Sequence, residues 1–170
     1  NDYINKNGLK FNYDFLIKNF NSYAENSTSY KSKEDYEVFG AFLIKTSLPL
    51  KKIDDDGNDY LKPIASFRYS PNNTKNISDK DLRLSYDNIF ALNRIETNEI
   101  VEGGKSLSLG FEYENRNKIN EKLFSLSLAN SMSDRKNTNL PSKTKLNEKR
   151  TDLVGKISFS LNKVLDLDYS

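Results

Sequence analysis

Leu107-Ser108-Leu109-Gly110-Phe111-Glu112-Tyr113-Glu114 alternates without a break, with Leu107, Leu109, Phe111 and Tyr113 on one side and Ser108, Gly110, Glu112 and Glu114 on the other. A period of two is the side-chain repeat of an extended strand. Working outward, the same period recurs along the chain. Leu9, Phe11, Tyr13, Phe15 and Ile17 alternate with Lys10, Asn12, Asp14, Leu16 and Lys18. Val38, Phe42, Ile44, Leu48 and Leu50 share a face, and Leu61, Pro63, Ala65, Phe67 and Tyr69 stand opposite Lys62, Ser66 and Arg68. Phe124, Leu126 and Leu128 oppose Ser125, Ser127 and Ala129; Leu153, Gly155, Ile157, Phe159 and Leu161 oppose Lys156, Ser158 and Ser160. A last run opens at Leu165, Leu167 and Tyr169, while the short run Leu82, Leu84, Tyr86 leads into an irregular segment.

The connections carry the second signal. Asn21–Glu37, Ser70–Lys105 and Ser133–Arg150 are long, whereas Lys51–Tyr60 (with Asp56-Gly57 as a turn signal), Asn115–Lys122 and Asn162–Val164 are short. Long and short links therefore alternate, as in transmembrane barrels, whose surface loops are long and periplasmic turns short. A soluble sandwich shows the same alternation of side chains with the apolar face turned inward, so alternation alone does not separate the two. Strand length does: these runs reach about 9–11 residues, the span of a tilted membrane strand, against about 5–6 in soluble sheets. Register then sets the orientation. Lys10, Asp14, Lys18, Glu112 and Lys156 cannot face hydrocarbon, where a basic residue costs about 2–4 kcal/mol at the midplane, so the apolar face points outward and the polar face toward a water-filled lumen. The expectation is all-β: an antiparallel up-and-down transmembrane β-barrel fragment of about seven strands, with residues 1–170 forming one partial outer-membrane domain.

Composition narrows the function. The chain has 170 residues, no Cys and no His, which removes disulfides, thiolate metal sites and the commonest general base. A net charge of +2 provides no field for nucleic acid. Aromatics at 12% in ordered alternation argue against disorder. No P-loop, dinucleotide fingerprint or nucleophile elbow occurs, and neither an enzyme nor a cofactor is expected. Asp54-Asp55-Asp56-Gly57-Asn58-Asp59 puts Lys52 where a calcium loop needs its first carboxylate, so it reads as a solvated turn. Asn26-Ser27-Thr28, Asn72-Asn73-Thr74 and Asn76-Ile77-Ser78 match a glycosylation pattern but are expected by chance in so Asn-rich a chain. Tyr13, Tyr69, Tyr86, Tyr113 and Tyr169 lie near strand ends, where either an interfacial girdle or β-propensity places tyrosines. The basic loop Arg135 to Arg150, with Lys136, Lys143, Lys145 and Lys149, is either a solvated surface or a contact for anionic lipid headgroups.

The segment from Asp81 to Gly110 reads Leu82-Arg83-Leu84-Ser85-Tyr86-Asp87-Asn88-Ile89-Phe90-Ala91-Leu92-Asn93-Arg94-Ile95, then Glu102-Gly103-Gly104. It resembles the Asn-Leu-Phe, Asp-Arg-Phe and Glu-x-Gly signature in the barrel domain of the lipopolysaccharide-assembly family LptD (also called OstA or Imp). Leu48-Pro49-Leu50 and Leu61-Lys62-Pro63 before it, and Lys149-Arg150-Thr151-Asp152-Leu153-Val154-Gly155 after it, look like strand markers of the same barrel. Asn93 stands where the family usually has Asp, Thr97-Asn98-Glu99-Ile100 replaces a Gly-Tyr-Asp-Arg-type stretch, and Ala129-Asn130-Ser131 a Gly-Gln pair.

The resemblance implies the middle part of a barrel that inserts lipopolysaccharide into the outer leaflet of a Gram-negative outer membrane. It implies an LptE-like plug lipoprotein as partner and periplasmic bridge proteins acting through an N-terminal jellyroll domain. That domain and the terminal strands are expected to lie outside this stretch. The motif block Asp87, Asn88, Ile89, Phe90, Asn93, Arg94, Glu102 and Gly103 is expected to fold inward and brace the wall, Asp87 and Arg94 by hydrogen bonding, Ile89 and Phe90 by packing beneath. Alternation nominates Lys10, Asp14, Lys18, Arg68, Glu112, Glu114 and Lys156 as lumen-facing. A general porin or receptor barrel, and less readily a soluble β-sandwich binding module, are the competing readings.

Overall fold

The computed structural model describes residues 2–22, 35–95, 100–162 and 165–169. Asn26-Ser27-Thr28, Thr97-Asn98-Glu99 and the side chain of Tyr169 lie outside the described residues. The strands are β1 (Asp2–Ile4), β2 (Lys10–Ser22), β3 (Asp35–Ser47), β4 (Leu50–Asp54), β5 (Gly57–Ser70), β6 (Gly104–Asn117), β7 (Lys122–Ser133), β8 (Val154–Asn162) and β9 (Leu165–Tyr169). Among the described residues these nine make one antiparallel sheet in the order β1-β2-β3-β5-β6-β7-β8-β9, with β4 paired to β5. Apart from β4, each strand therefore pairs with the one before and after it, the up-and-down arrangement of a barrel wall, here as an open sheet. A three-residue 3₁₀ turn at Lys143–Lys145 is the one helical element among the described residues.

The seven long alternating runs correspond to β2, β3, β5, β6, β7, β8 and β9. Two pieces escaped the sequence reading. β1 pairs with β2 through a turn in which Leu9 N–H donates to the Asn5 side chain at 2.9 Å. The link Lys51–Tyr60 is itself a hairpin: β4 and the first half of β5 pair from Leu50↔Leu61 to Asp54↔Gly57 around Asp55-Asp56. This pairing keeps the register of β3 with β5, which ends at Ser47↔Ile64, and Leu48 N–H donates to Pro63 O at 3.2 Å between the two. So β4 prolongs β3 across Leu48-Pro49, past the last β2 pair, Lys10↔Ser47. Polar side chains hid this arm, because beyond Leu61 the outward row turns to Asp59, Lys52 and Asp54. There Tyr113 and Asn115 both donate to Asp59 at 2.8 Å. The strands thus outrun the apolar band that alternation detects.

The two sheet faces are inverted relative to a soluble protein. Phe15 is 69% exposed, and Tyr13, Ile17, Phe67, Leu107 and Leu109 are exposed with it. On the opposite face Arg68 is 2% exposed, and Ser66, Ser70, Ser106, Ser108 and Ser131 are buried. Soluble monomers rarely expose contiguous apolar patches beyond a few hundred Å², whereas a wall facing lipid must.

Loops cover the part of the polar face that carries Arg68 and its neighbouring serines, while Lys62, Glu112 and Lys156 stay part-exposed. Residues 71–95, 100–103 and 134–153 lie across that part and bring an apolar core of their own: Ile77, Leu84, Ile89, Phe90, Ile95, Leu140 and Leu146 pack on Ile64, Ala129 and Val154 of the strands. A second cluster seats Val101 and Leu92 on Phe39, Ala41, Leu16 and Phe20. The inner positions of β3 are apolar because Val38-Phe39-Gly40-Ala41-Phe42-Leu43-Ile44 is apolar on both faces.

A loop-packed polar face as the candidate functional site

The loop after β5 leaves the sheet by imitating a strand. Pairing of β3 with β5 stops at Phe42↔Tyr69, yet the backbone of β3 stays satisfied. Ser70 Oγ donates to Gly40 O at 2.7 Å, Gly40 N–H donates to Asn72 Oδ1 at 2.8 Å, and Asn72 Nδ2 donates to Val38 O at 2.9 Å. Thr74 then ties this loop to its own return and to the second loop: Gly103 N–H and Asn137 Nδ2 donate to its Oγ1 at 2.9 and 2.8 Å, and Asn139 Nδ2 donates to its carbonyl at 3.0 Å. Leu84 N–H to Thr144 Oγ1 at 3.0 Å and Lys143 to Asp81 at 2.6 Å complete the seam. The two long loops pack as one body.

The motif block forms the underside of that body. Asn88 pins a turn, accepting from Ser85 N–H at 2.9 Å and donating to Arg83 O at 3.1 Å. This drives Ile89 and Phe90 into the core, with the Phe90 ring edge-on to Tyr86 at 5.7 Å. Gly110 lies beneath Phe90: a Cβ there would sit 2.9 Å from the ring tip and 2.7 Å from Ala129 Cβ. Tyr86 is therefore an inward residue, donating to Glu112 at 3.2 Å, and not part of an outward girdle. Asp87 pairs with Lys156 at 2.6 Å, and Lys62 with Glu112 at 3.0 Å.

Deeper in, three charges meet. Arg94 forms a two-pronged ion pair with Glu102, its Nε at 2.9 Å, while its Nη1 donates to Ser131 Oγ at 2.6 Å. Arg68 reaches up from β5, donating to Leu92 O at 2.7 Å and to Glu102 O, with its Nη1 4.0 Å from the Glu102 carboxylate. Ser108 Oγ lies 3.0 Å from Ser131 Oγ and 3.2 Å from Ile89 O. Thr151 N–H donates to Ser131 O at 3.0 Å, and Ser131 N–H donates to Thr151 Oγ1 at 3.0 Å. Burial pushes the Glu102 carboxyl upward, but the guanidiniums of Arg94 and Arg68 outweigh it and hold the group below the ordinary carboxylate range.

Of the residues nominated from sequence, Asp87, Ile89, Phe90, Arg94, Glu102 and Gly103 meet Arg68, Glu112 and Lys156 in this assembly. Asn88 shapes the turn, and Asn93 is half-buried beside Arg94. Lys10, Asp14 and Lys18 share the face of Leu16 and Phe20 on β2, away from the charged triad, and Glu114 pairs with Arg116 on β6. Sequence reasoning missed Asn72, Thr74, Ser131 and Thr151. The triplet Asn72-Asn73-Thr74, read as a chance match, supplies the tie between the loops.

The return into β6 needs its glycines. A Cβ at Gly103 would overlap the carbonyl oxygen of Asn72, and Gly104 holds φ +98°. Gly103→Ala must move backbone, and is expected to cost at least about 1–3 kcal/mol by overpacking. A urea titration of the protein in lipid vesicles measures it, and an unchanged midpoint would show that the return can shift freely.

Comparison with known proteins adds one finding. The family model described as LptD, LPS transport system D, matches residues 4–170. No curated protein matches the chain.

Proposed function

The chain belongs to the LptD family of lipopolysaccharide transport proteins, and from that premise we propose that it is a stretch of outer-membrane barrel wall through which lipopolysaccharide is inserted into the outer leaflet. Membership carries a part in lipopolysaccharide transport and assembly, a role that is not enzymatic. The observation that carries the finer reading is the inversion of the sheet. Apolar side chains from Tyr13 to Leu109 stand exposed on one face, while Arg68, Glu102 and Arg94 are buried with loops on the other. Such a wall is stable where lipid covers the apolar face and no edge is left unpaired.

In this reading the long loops lie on the cell-surface side and the tight hairpins on the periplasmic side of a Gram-negative outer membrane. Lys10, Asp14 and Lys18, with Glu112, Glu114 and Lys156, line the interior left below the packed loops. That interior is where a plug lipoprotein of the LptE kind would seat, and periplasmic bridge proteins would deliver substrate from the hairpin side.

Reconstitution into liposomes tests the proposal. Delivery of lipopolysaccharide to the outer leaflet with little flux of small solutes is the expected result. Brisk nonspecific solute flux without lipopolysaccharide delivery would make it a porin, and a monodisperse product without detergent would remove the membrane altogether.

A further inference from the structure

Loop 134–152 carries six basic residues against three acidic ones. Much of this charge is already matched. Glu148 holds Lys136 at 2.6 Å, Asp152 holds Lys145 at 2.8 Å, and Lys143 turns to Asp81 at 2.6 Å. The Asp134 carboxylate faces the backbone N–H of Lys105 at 3.4 Å. Among the described residues Arg135, Lys149 and Arg150 are exposed cations with no carboxylate in ion-pair range; of these Lys149 and Arg150 adjoin the end of β7, where Ser133 N–H donates to Lys149 O at 2.8 Å and the Arg150 side chain donates to Asn130 at 3.2 Å.

Their position matters more than their number. Arg150 bridges to Met132 across the end of β7. Met132, Leu107 and Leu153 are exposed on the apolar face, 40%, 39% and 66% respectively. Lys105, whose ammonium lies 5.8 Å from the Tyr69 ring centre, stands on the same face as Leu107, two residues before it. The unmatched cations thus mark the margin where the apolar face ends and the long loops begin. Beside them opens a recess of about 630 Å³ lined by Ser142, Lys145, Asn147, Glu148, Lys149 and Arg150.

We propose that Lys149, Arg150 and this recess bind the phosphate headgroup of an anionic lipid in the leaflet around the wall, its chains lying along Leu107, Met132 and Leu153. A guanidinium and an ammonium at a membrane margin suit a phosphate oxyanion, which both can bond through charged donors. The apolar residues directly below explain why the phosphate arrives on a lipid and not free. The proposal rests on the membrane-wall reading. It concerns the outer perimeter of the wall, not its interior.

The test reconstitutes the protein in nanodiscs of mixed phosphatidylcholine and phosphatidylglycerol and counts the lipids retained after mild delipidation by mass spectrometry. Phosphatidylglycerol is expected to be enriched several-fold over its share of the bilayer. The double variant Lys149→Gln, Arg150→Gln should bring the enrichment close to parity, while Lys52→Gln, which removes a charge matched by Asp54 at the opposite end of the sheet, should leave it unchanged. Equal enrichment in the double variant overturns the proposal and leaves the membrane wall standing. Displacement of the lipid by inorganic phosphate at matched concentration makes this an ion site and overturns the lipid assignment. A protein that does not enter nanodiscs overturns both readings together.

Discussion

Glu102→Ala is expected to be the most destabilising single substitution in the loops, at about 3–5 kcal/mol, the cost of leaving a buried charge without its partner. Its carboxylate is the one negative charge between two guanidiniums, and Arg68 and Arg94 are 2% and 3% exposed. Removing it leaves both cations under the loop body with only carbonyl and hydroxyl oxygens to face. Arg94→Ala should cost less, because Arg68 still offsets Glu102 at 4.0 Å and the main loss is the Ser131 contact and one ion pair. Glu102→Gln, which keeps size and some hydrogen bonding, should fall between the two. Urea unfolding in lipid vesicles gives the order, and trypsin cleavage at the exposed Arg83 reports whether the loop has left the wall. A Glu102→Ala protein within about 1 kcal/mol of wild type, with Arg83 uncut, would mean the triad does not hold the loop.

The same triad predicts a pH response. Because the Glu102 carboxyl is held below its ordinary range in the folded protein, the folded state binds fewer protons there than the unfolded state does. Its contribution is therefore complete above the unfolded carboxylate value of about 4.3 and is lost as pH falls through the depressed one. Asp81, drawn down by its hydrogen bond with Lys143, follows the same sign at the seam between the loops. Trypsin-resistant docking should hold from neutral pH down to about pH 5 and weaken only in stronger acid. Glu102→Gln should flatten that acid response.

The sheet was legible in the sequence because one face of each long strand is apolar with a period of two, as a lipid-facing wall would require. Leu107 to Tyr113 declares itself for that reason. What the rule does not reach stayed hidden. The arm Leu50–Asp54 lies past the apolar band, where both faces are exposed and carry charge. Phe39, Ala41 and Leu43 point inward within a run that is apolar on both faces, so periodicity had nothing to report. The motif block was visible only through resemblance: Arg94 and Glu102 are eight residues apart along a chain with no regular repeat. Their partners Arg68 and Ser131, and Ser108 bonded to Ser131, come from three different strands, and only the register of β5, β6 and β7 brings them together. Arg68 was nominated by alternation as lumen-facing; it stands on the inner face and is buried under the loops, and alternation predicts a side but not what covers it.

Leu109→Lys should be nearly as damaging, and it discriminates the two environments a sheet of this kind could occupy. Leu109 is 45% exposed and lies midway in the outward row of β6 between Lys105 and Tyr113, with Ala65 and Asn130 as its cross-strand neighbours. At the centre of a lipid-facing row a lysine costs about 2–4 kcal/mol, and its short distance to either margin is what limits the figure through snorkelling. On a soluble sheet the same exposed position would tolerate lysine to within about 0.5 kcal/mol and gain solubility. Ser127→Lys is the matched control, because Ser127 lies on the inner side between Glu112 of β6 and Lys156 of β8, the latter already paired with Asp87, so a cation there meets a carboxylate and no hydrocarbon. Folding into vesicles should therefore fail or weaken for Leu109→Lys and proceed for Ser127→Lys. The reverse order would place water on the apolar face, and the membrane wall, with everything inferred from its orientation, would have to be given up.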